Sequence, residues 1–307
     1  MFEATKRISL AVVFAAISGS AFAAADIVVD TIDPTMGRIG EAKATSDPDV
    51  FAVCSDMDNM PYSNEKQEGF ENKIAELIAK DLGKKLKYLF SYDRQGFIRN
   101  TIKTGTCDVI MGTTSDSDML LTSKPIYRSG YVFVTRKDSG YHITDWDSPD
   151  LRKGIIGIVD KAPPTRPLYD HNLMANARPY RLQRDLHLSP GAMIDDLAKG
   201  DIDVAILWGP IGGYYAKKSS VPMVVTPIPE YEKINAKGKE YWNISLGVRH
   251  GDKARLAEIQ KVLDRRHDDI MKILDDYGIP HVPVVANDNV FKTYEENIKA
   301  KAESKSE

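Results

Sequence analysis

One phrase occurs twice in the 307-residue chain, and it narrows the fold more than any other feature. Residues 97–112 read FIRNTIKTGTCDVIMG, and residues 193–209 read MIDDLAKGDIDVAILWG. Each predicts a short amphipathic helix, a glycine at the helix stop (Gly105, Gly200), an Asp-Val pair three residues on, and a buried strand. The two aspartates, Asp108 and Asp203, stand 95 positions apart. Each phrase follows an apolar strand that ends in an acid, VFAVCSD at 50–56 and GIIGIVD at 154–160. Two lobes of similar construction therefore share one chain, and the cleft between them is the natural place for a site.

The rest of the chain fits that plan. Phe70, Ile74, Leu77, Ile78 and Leu82 recur at helical spacing, Glu71, Lys73, Glu76 and Lys80 read as the solvent face, and Gly83 ends the helix. A strand over 86–92, a helix over 95–104 and a strand over 107–112 complete a β-α-β-α-β unit, which requires a parallel sheet. YRSGYVFVTR (127–136) leaves this lobe, and NISLGVRH (243–250) crosses back. Between them lie a second opening strand, a helix start at Pro163-Pro164-Thr165, strands over 177–183 and 223–228, and the second phrase. Residues 252–278 read as one long helix with Leu256, Ile259, Leu263, Ile270, Ile273 and Leu274 on its core side. The fold class is α/β, a two-lobe protein whose lobes are mostly parallel sheets flanked by helices, with a hinge between them. Lobe one spans 48–136 plus 243–285 and lobe two 137–242, with a leader at 24–47 and a charged tail at 286–307.

Lys6 and Arg7, the uncharged run ISLAVVFAAI and the small-x-small site Ala21-Phe22-Ala23 read as a secretory signal peptide over 1–23, cleaved after Ala23. No later stretch is apolar for long enough to span a bilayer. Export places Cys54 and Cys107 in an oxidising compartment. They sit on strands that a parallel sheet can make neighbours, which reads as a disulfide, with two buried thiols as the alternative. A near-balance of 41 basic and 44 acidic residues gives no concentrated positive face for nucleic acid. Asp56-x-Asp58-Asn59 invites a calcium reading, but Met60 and Pro61 stand where that loop needs a ligand and a glycine. The six histidines show no ligand spacing, no nucleotide-binding or nucleophile-elbow motif occurs, and nothing in the chain asks for a cofactor.

The order of elements, with the Asn59-Met60-Pro61-Tyr62 turn after the first strand and a Ser/Thr-rich loop before TSKPIYRSGYVFV, resembles the type II periplasmic solute-binding proteins over about residues 48–280. CSDMDNMPYSNEKQEGFENKIAELIAKDLG, IMGTTSDSDMLLTSKPIYRSGYVFVTR and ILWGPIGGYYA are similar to the MxaJ/XoxJ group within that fold. That resemblance implies a periplasmic, non-enzymatic partner of pyrroloquinoline-quinone methanol dehydrogenase that helps to mature or activate the enzyme.

Departures from the amino-acid receptors of the fold sharpen the expectation. Those receptors grip the substrate carboxylate with an Arg in the loop after the lobe-one Asp-containing strand, whereas here the loop begins Thr113-Thr114 and holds no Arg or Lys before Lys124. They bind the amine with an Asp where this chain has Trp208. They hold an anion at a Gly-Thr/Ser helix start where this chain has Pro163, Pro164 and Thr165, and the two prolines remove two N–H donors. The candidate cleft and partner-binding residues are accordingly Met60, Pro61, Tyr62, Thr113, Thr114, Pro163, Pro164, Thr165, Trp208 and Tyr214. Apolar and aromatic side chains dominate this set, and aromatics are what protein-interface hot spots favour. The rival readings are a transporter-linked receptor for a small, weakly charged solute and an acid–base enzyme using Asp56 or Asp116.

Overall fold

The computed structural model describes residues 28–31, 47–93, 96–115, 117–182, 188–230 and 239–286. The signal peptide and Asp116 lie outside the described residues, as does the tail after Ala286. In chain order the first lobe contributes β1 (Val28–Thr31), β2 (Val50–Ser55), the two-residue strands β3 (Asp58–Asn59) and β4 (Ser63–Asn64), α1 (Phe70–Leu82), β5 (Lys85–Phe90), α2 (Phe97–Asn100), β6 (Val109–Thr114) and β7 (Leu121–Thr122). A long strand, β8 (Tyr127–Arg136), leads to β9 (Ile156–Val159), α3 (Thr165–Asp170), β10 (Ala177–Tyr180), α4 (Ala192–Lys199), β11 (Val204–Trp208), α5 (Gly209–Lys218) and β12 (Met223–Pro227). Then β13 (Tyr241–Val248) returns to α6 (Lys253–Arg265) and α7 (His267–Tyr277).

The strands form one continuous sheet in the order β1-β5-β2-β6-β13-β8-β11-β9-β10, with β12 on β8 and β7 on β13. Neighbours β1-β5-β2-β6 run parallel, as do β11-β9-β10. The lobes are joined through two shared strands. Residues 127–130 of β8 pair with β13, and residues 131–135 pair with β11. After α7 the chain comes back to the same place, where Val282 N–H donates to the Arg128 carbonyl (2.9 Å) and Asn243 Nδ2 to the Val285 carbonyl (2.6 Å). One apolar core, around Phe51, Phe70, Tyr88 and Phe90, lies under α1, α6 and α7, and a second, around Phe133, Leu151, Ile156 and Met193, fills the other lobe. This is the two-lobe type II binding-protein architecture. β1 lies inside the stretch read as a leader and adds a parallel edge strand beside β5.

The repeated phrase performs the same local task twice. The Asp108 amide donates to the Ala52 carbonyl (2.8 Å), and its carboxylate accepts from Ala52 N–H (3.3 Å). The Asp203 amide donates to the Ile155 carbonyl (2.9 Å), and its carboxylate accepts from Ile155 N–H (2.8 Å). Each aspartate thus clamps its strand to the opening strand of its own lobe. Asp108 also faces Arg249 (3.6 Å) and Arg255 (3.5 Å). Replacing Asp203 by alanine is expected to lower unfolding stability by about 1.5 kcal/mol, because it removes a hydrogen bond to a charged acceptor. A urea midpoint that does not move would show that the clamp is dispensable.

Two elements differ from their sequence expectation. The helix expected over 95–104 shrinks to α2 and a 3-10 turn over Ile102–Thr104. Thr101 Oγ1 donates back to the Phe97 carbonyl (2.6 Å) and Thr106 Oγ1 to the Thr101 carbonyl (2.9 Å), offering the backbone an alternative to continued helix. The single helix over 252–278 is broken at Arg266 (φ −107°, ψ 18°). Past Leu263 the core stripe would next fall on Arg266 and His267, which are polar. The break turns Arg266 to Asp81 (3.7 Å) and Asp269 (3.1 Å) and lets each half keep its own apolar face.

Candidate functional site

α1 begins at Gly69, where any Cβ would run into the Tyr62 carbonyl, so the helix start sits directly on the turn that carries the cis Met60–Pro61 peptide and Tyr62. Asn72 Oδ1 accepts from Gly69 N–H (3.1 Å) and Asn64 N–H (3.3 Å), tying helix and turn together. These contacts bring Tyr62 and the first turn of α1 to the carboxyl ends of the parallel strands, where open α/β sheets place ligands.

There a cavity of about 740 Å³ lies between the lobes. Ser55, Asp56, Tyr62, Glu71, Thr113 and Thr114 line it from lobe one, Tyr127 and Tyr131 from the shared strand β8, and Pro190, Trp208 and Ile211 from lobe two. Asp56 Oδ1 accepts from Asp58 N–H (2.8 Å) and Oδ2 from Asp93 N–H (2.6 Å), which ties together the loops after β2 and β5 at the cavity mouth. Trp208 reaches across the cleft. Its ring meets those of Tyr131 and Trp242 edge-on at 5.5 Å each, and its indole faces the Tyr62 hydroxyl. Burial pushes the Tyr62 and Tyr127 hydroxyls far above their ordinary range, aided for Tyr62 by Tyr127 and for both by Glu71.

Every charged side chain described in the cavity wall is acidic: Asp56, Asp58, Glu71 and Asp93. Glu71 projects over Gly112, where a Cβ would strike its carboxyl. Burial, followed by the nearby Asp93 and Asp56, pushes its carboxyl from 4.5 up to about 8. Its place in the first turn of α1 ought to favour the anion, but a helix dipole contributes at most about 2 kcal/mol, and desolvation together with like charge outweighs it. The sequence reading put Glu71 on the solvent face of α1, and the structure corrects it. The first turn of this helix opens onto the cleft rather than onto bulk water. The cleft is also more polar than the apolar and aromatic surface expected. The signal that could have found Glu71 is its position just after Gly69-Phe70, at the ligand end of the sheet.

A stability consequence follows. Glu71 holds its proton in the folded chain between about pH 4.5 and about pH 8 but loses it on unfolding, so it makes stability fall as pH rises through that window. Glu71→Gln is expected to remove a slope of up to about 1.4 kcal/mol per pH unit from the stability profile. Parallel profiles for the two proteins would refute it.

The remaining candidates are placed elsewhere. Pro163 and Thr165 line a separate cavity of about 650 Å³ with Lys161, Arg166, Lys239 and Trp242, while Pro164 is buried at the start of α3. Met60 and Tyr214 line a third cavity of about 480 Å³. Tyr214 stacks on Tyr277 (5.9 Å, 16°), and Gly213 abuts the Gly278 carbonyl, so α5 of lobe two is seated on α7 of lobe one. Pro61 is buried. Of the sequence candidates, Tyr62, Thr113, Thr114 and Trp208 therefore converge on one cavity, together with Asp56. Cys54 and Cys107 form a disulfide between the ends of neighbouring strands (Cα–Cα 5.6 Å). Among the described residues no three His, Cys, Asp or Glu side chains are grouped as a metal would require, and no helix is long and apolar enough to cross a membrane.

Known proteins resemble this chain across the same span. It is 30% identical over 255 residues to Protein MoxJ of Methylorubrum extorquens (strain ATCC 14718 / DSM 1338 / JCM 2805 / NCIMB 9133 / AM1), covering 78% of this chain and 84% of the relative. The crystal structure of MxaJ from Methlophaga aminisulfidivorans MPT matches with a TM-score of 0.68 and 28% identity, over 76% of this chain and 100% of the other. That of the periplasmic binding protein XoxJ from Methylobacterium extorquens AM1 matches with a TM-score of 0.64 and 36% identity, again over 76% and 100%. Residues 51–279, which hold both lobes and every cavity-lining residue named above, match the bacterial extracellular solute-binding proteins, family 3, and the chain belongs to that family as a MxaJ/XoxJ-like type II periplasmic binding protein.

Proposed function

We propose that the protein is a non-enzymatic periplasmic accessory protein of a quinoprotein methanol dehydrogenase system. In this reading it binds the dehydrogenase and helps to mature or activate it, using the cleft between its lobes. Its likeness to MoxJ, MxaJ and XoxJ supports the system. The observation that carries the cleft reading is the charge of the cavity wall. Four acidic side chains line it, and none of its described lining residues is Arg, Lys or His. An amino acid's carboxylate would enter without a counter-charge, and a lost charge-assisted contact costs roughly 1.5–3 kcal/mol. Aromatic walls around a deep cavity suit an inserted protein segment.

Cross-linking and co-purification of the exported protein with apo and holo dehydrogenase test this reading. A complex with either form is expected, and no association with either would defeat it. The rival is a transporter-linked receptor for a small, weakly charged solute, which a cavity of about 740 Å³ could also hold. A solute present at about 100 times its dissociation constant would raise stability by about 2.7 kcal/mol. Such a shift with one small molecule, and no complex with the dehydrogenase, would favour the rival.

A further inference from the structure

We infer that the group seated deepest in the interlobe cavity is an organic cation, the ammonium or guanidinium of a Lys or Arg side chain on the inserted partner segment, received by Glu71 and the surrounding aromatic rings. This rests on the reading that the cleft accepts such a segment. Glu71 lies over Gly112, with the rings of Tyr62, Tyr127 and Trp208 in the same wall. A cation there meets a carboxylate and ring faces together, and rings attract a desolvated cation most strongly. Beside them Ser55 is 4% exposed, and its hydroxyl has no hydrogen-bond partner among the described residues, leaving an acceptor for one ammonium N–H. An anion would have to approach Asp56, Asp58, Glu71 and Asp93 at once.

The groups that face Glu71 are Asp56 after β2, Asp93 after β5, and the hydroxyls of Tyr62, Tyr88 on β5 and Tyr127 on β8. A cation binds the ionised form of Glu71, so binding expels its proton, and affinity must rise with pH until the carboxyl is ionised in the free protein. A ligand that accepted a hydrogen bond from the protonated carboxyl would show the opposite slope.

The test is calorimetric titration with a capped lysine tripeptide, its norleucine isostere and its glutamate counterpart, between about pH 6.5 and about pH 8.5. The lysine peptide is expected to bind at least about tenfold more tightly than the norleucine peptide, a difference of about 1.4 kcal/mol. Its affinity is expected to rise with pH, and Glu71→Gln to abolish both the preference and the slope. The comparison within the wild-type protein stands even if the variant does not fold. Equal affinity for lysine and norleucine peptides, a falling slope, preference for glutamate, or no binding of the lysine peptide at millimolar concentration would each overturn the inference. Binding of cadaverine as tight as that of the capped peptide would assign the subsite to a free amine and overturn the segment as its source. Failure of the dehydrogenase to bind, with lysine preference intact, would defeat the proposed function and leave the cation subsite standing.

Discussion

Replacing both Cys54 and Cys107 by alanine is expected to lower the free energy of unfolding by about 4 kcal/mol, the chain-entropy value for the 53-residue separation the bond spans. The bond joins the end of β2 to the residue just before Asp108 and β6, two strands that pair in parallel through Val53 and Cys54. Parallel strands cannot be held together by a short hairpin, so in the unfolded chain the connecting segment is free to separate them. The disulfide also sits in a small apolar cluster with Leu89, Phe97, Ile102, Ile110 and Leu120. Truncation to alanine therefore adds a small packing loss to the entropic effect. Denaturant unfolding of the variant, beside wild type with and without reductant, measures it. Reduced wild type should approach the variant. A loss below about 1 kcal/mol would mean that the unfolded chain keeps this region assembled without the bond.

Trp208→Ala is the second large effect, with an expected stability loss of about 3 kcal/mol, at the low end for a large aromatic because the ring is only half-buried. Trp208 ends β11 and packs against both cores, so its removal empties the junction where Tyr131 and Trp242 meet. Two edge-on aromatic pairs, each worth roughly 0.5–1.5 kcal/mol, disappear with it. Under the proposed function the same change removes the anchor that lobe two presents to the partner, and dehydrogenase binding should fall well beyond what the stability loss explains. Trp208→Phe separates the two roles. It keeps a ring at the junction but removes the indole N–H aimed at Tyr62, and should cost about 1 kcal/mol. Full binding by a folded Trp208→Ala protein would remove Trp208 from the partner surface.

Much of the architecture was legible before any coordinates. The twin Gly-x-x-Asp-Val phrases, the period of α1 and the apolar opening strands are local patterns, and each reports on its own segment. Asp108 and Asp203 could be recognised as equivalent because hydrogen bonding to the neighbouring strand is a task that recurs with the motif. The break at Arg266 was not read from the chain: residues 252–278 gave one helical period, and only the structure shows that the two polar residues where the apolar stripe should continue divide it. The candidate site was legible only in part. Tyr62, Thr113, Thr114 and Trp208 share a cavity because each lies at a strand end or next to one. Pro163 and Thr165 line one separate cavity with Trp242, and Met60 and Tyr214 line another with Tyr277, groupings that bring together residues distant in sequence.

By itself the sequence determined the two-lobe plan and the strand-end location of the cleft, since periodicity and glycine stops are properties of contiguous stretches. Only the tertiary structure decided the sign and depth of the cleft's charge. Asp56, Glu71 and Asp93 come from three separate segments, and whether a helix's first turn faces water or a closed cavity depends on what the other lobe places opposite it. Burial and proximity shift a carboxyl's ionisation, and neither is a property of the residue alone.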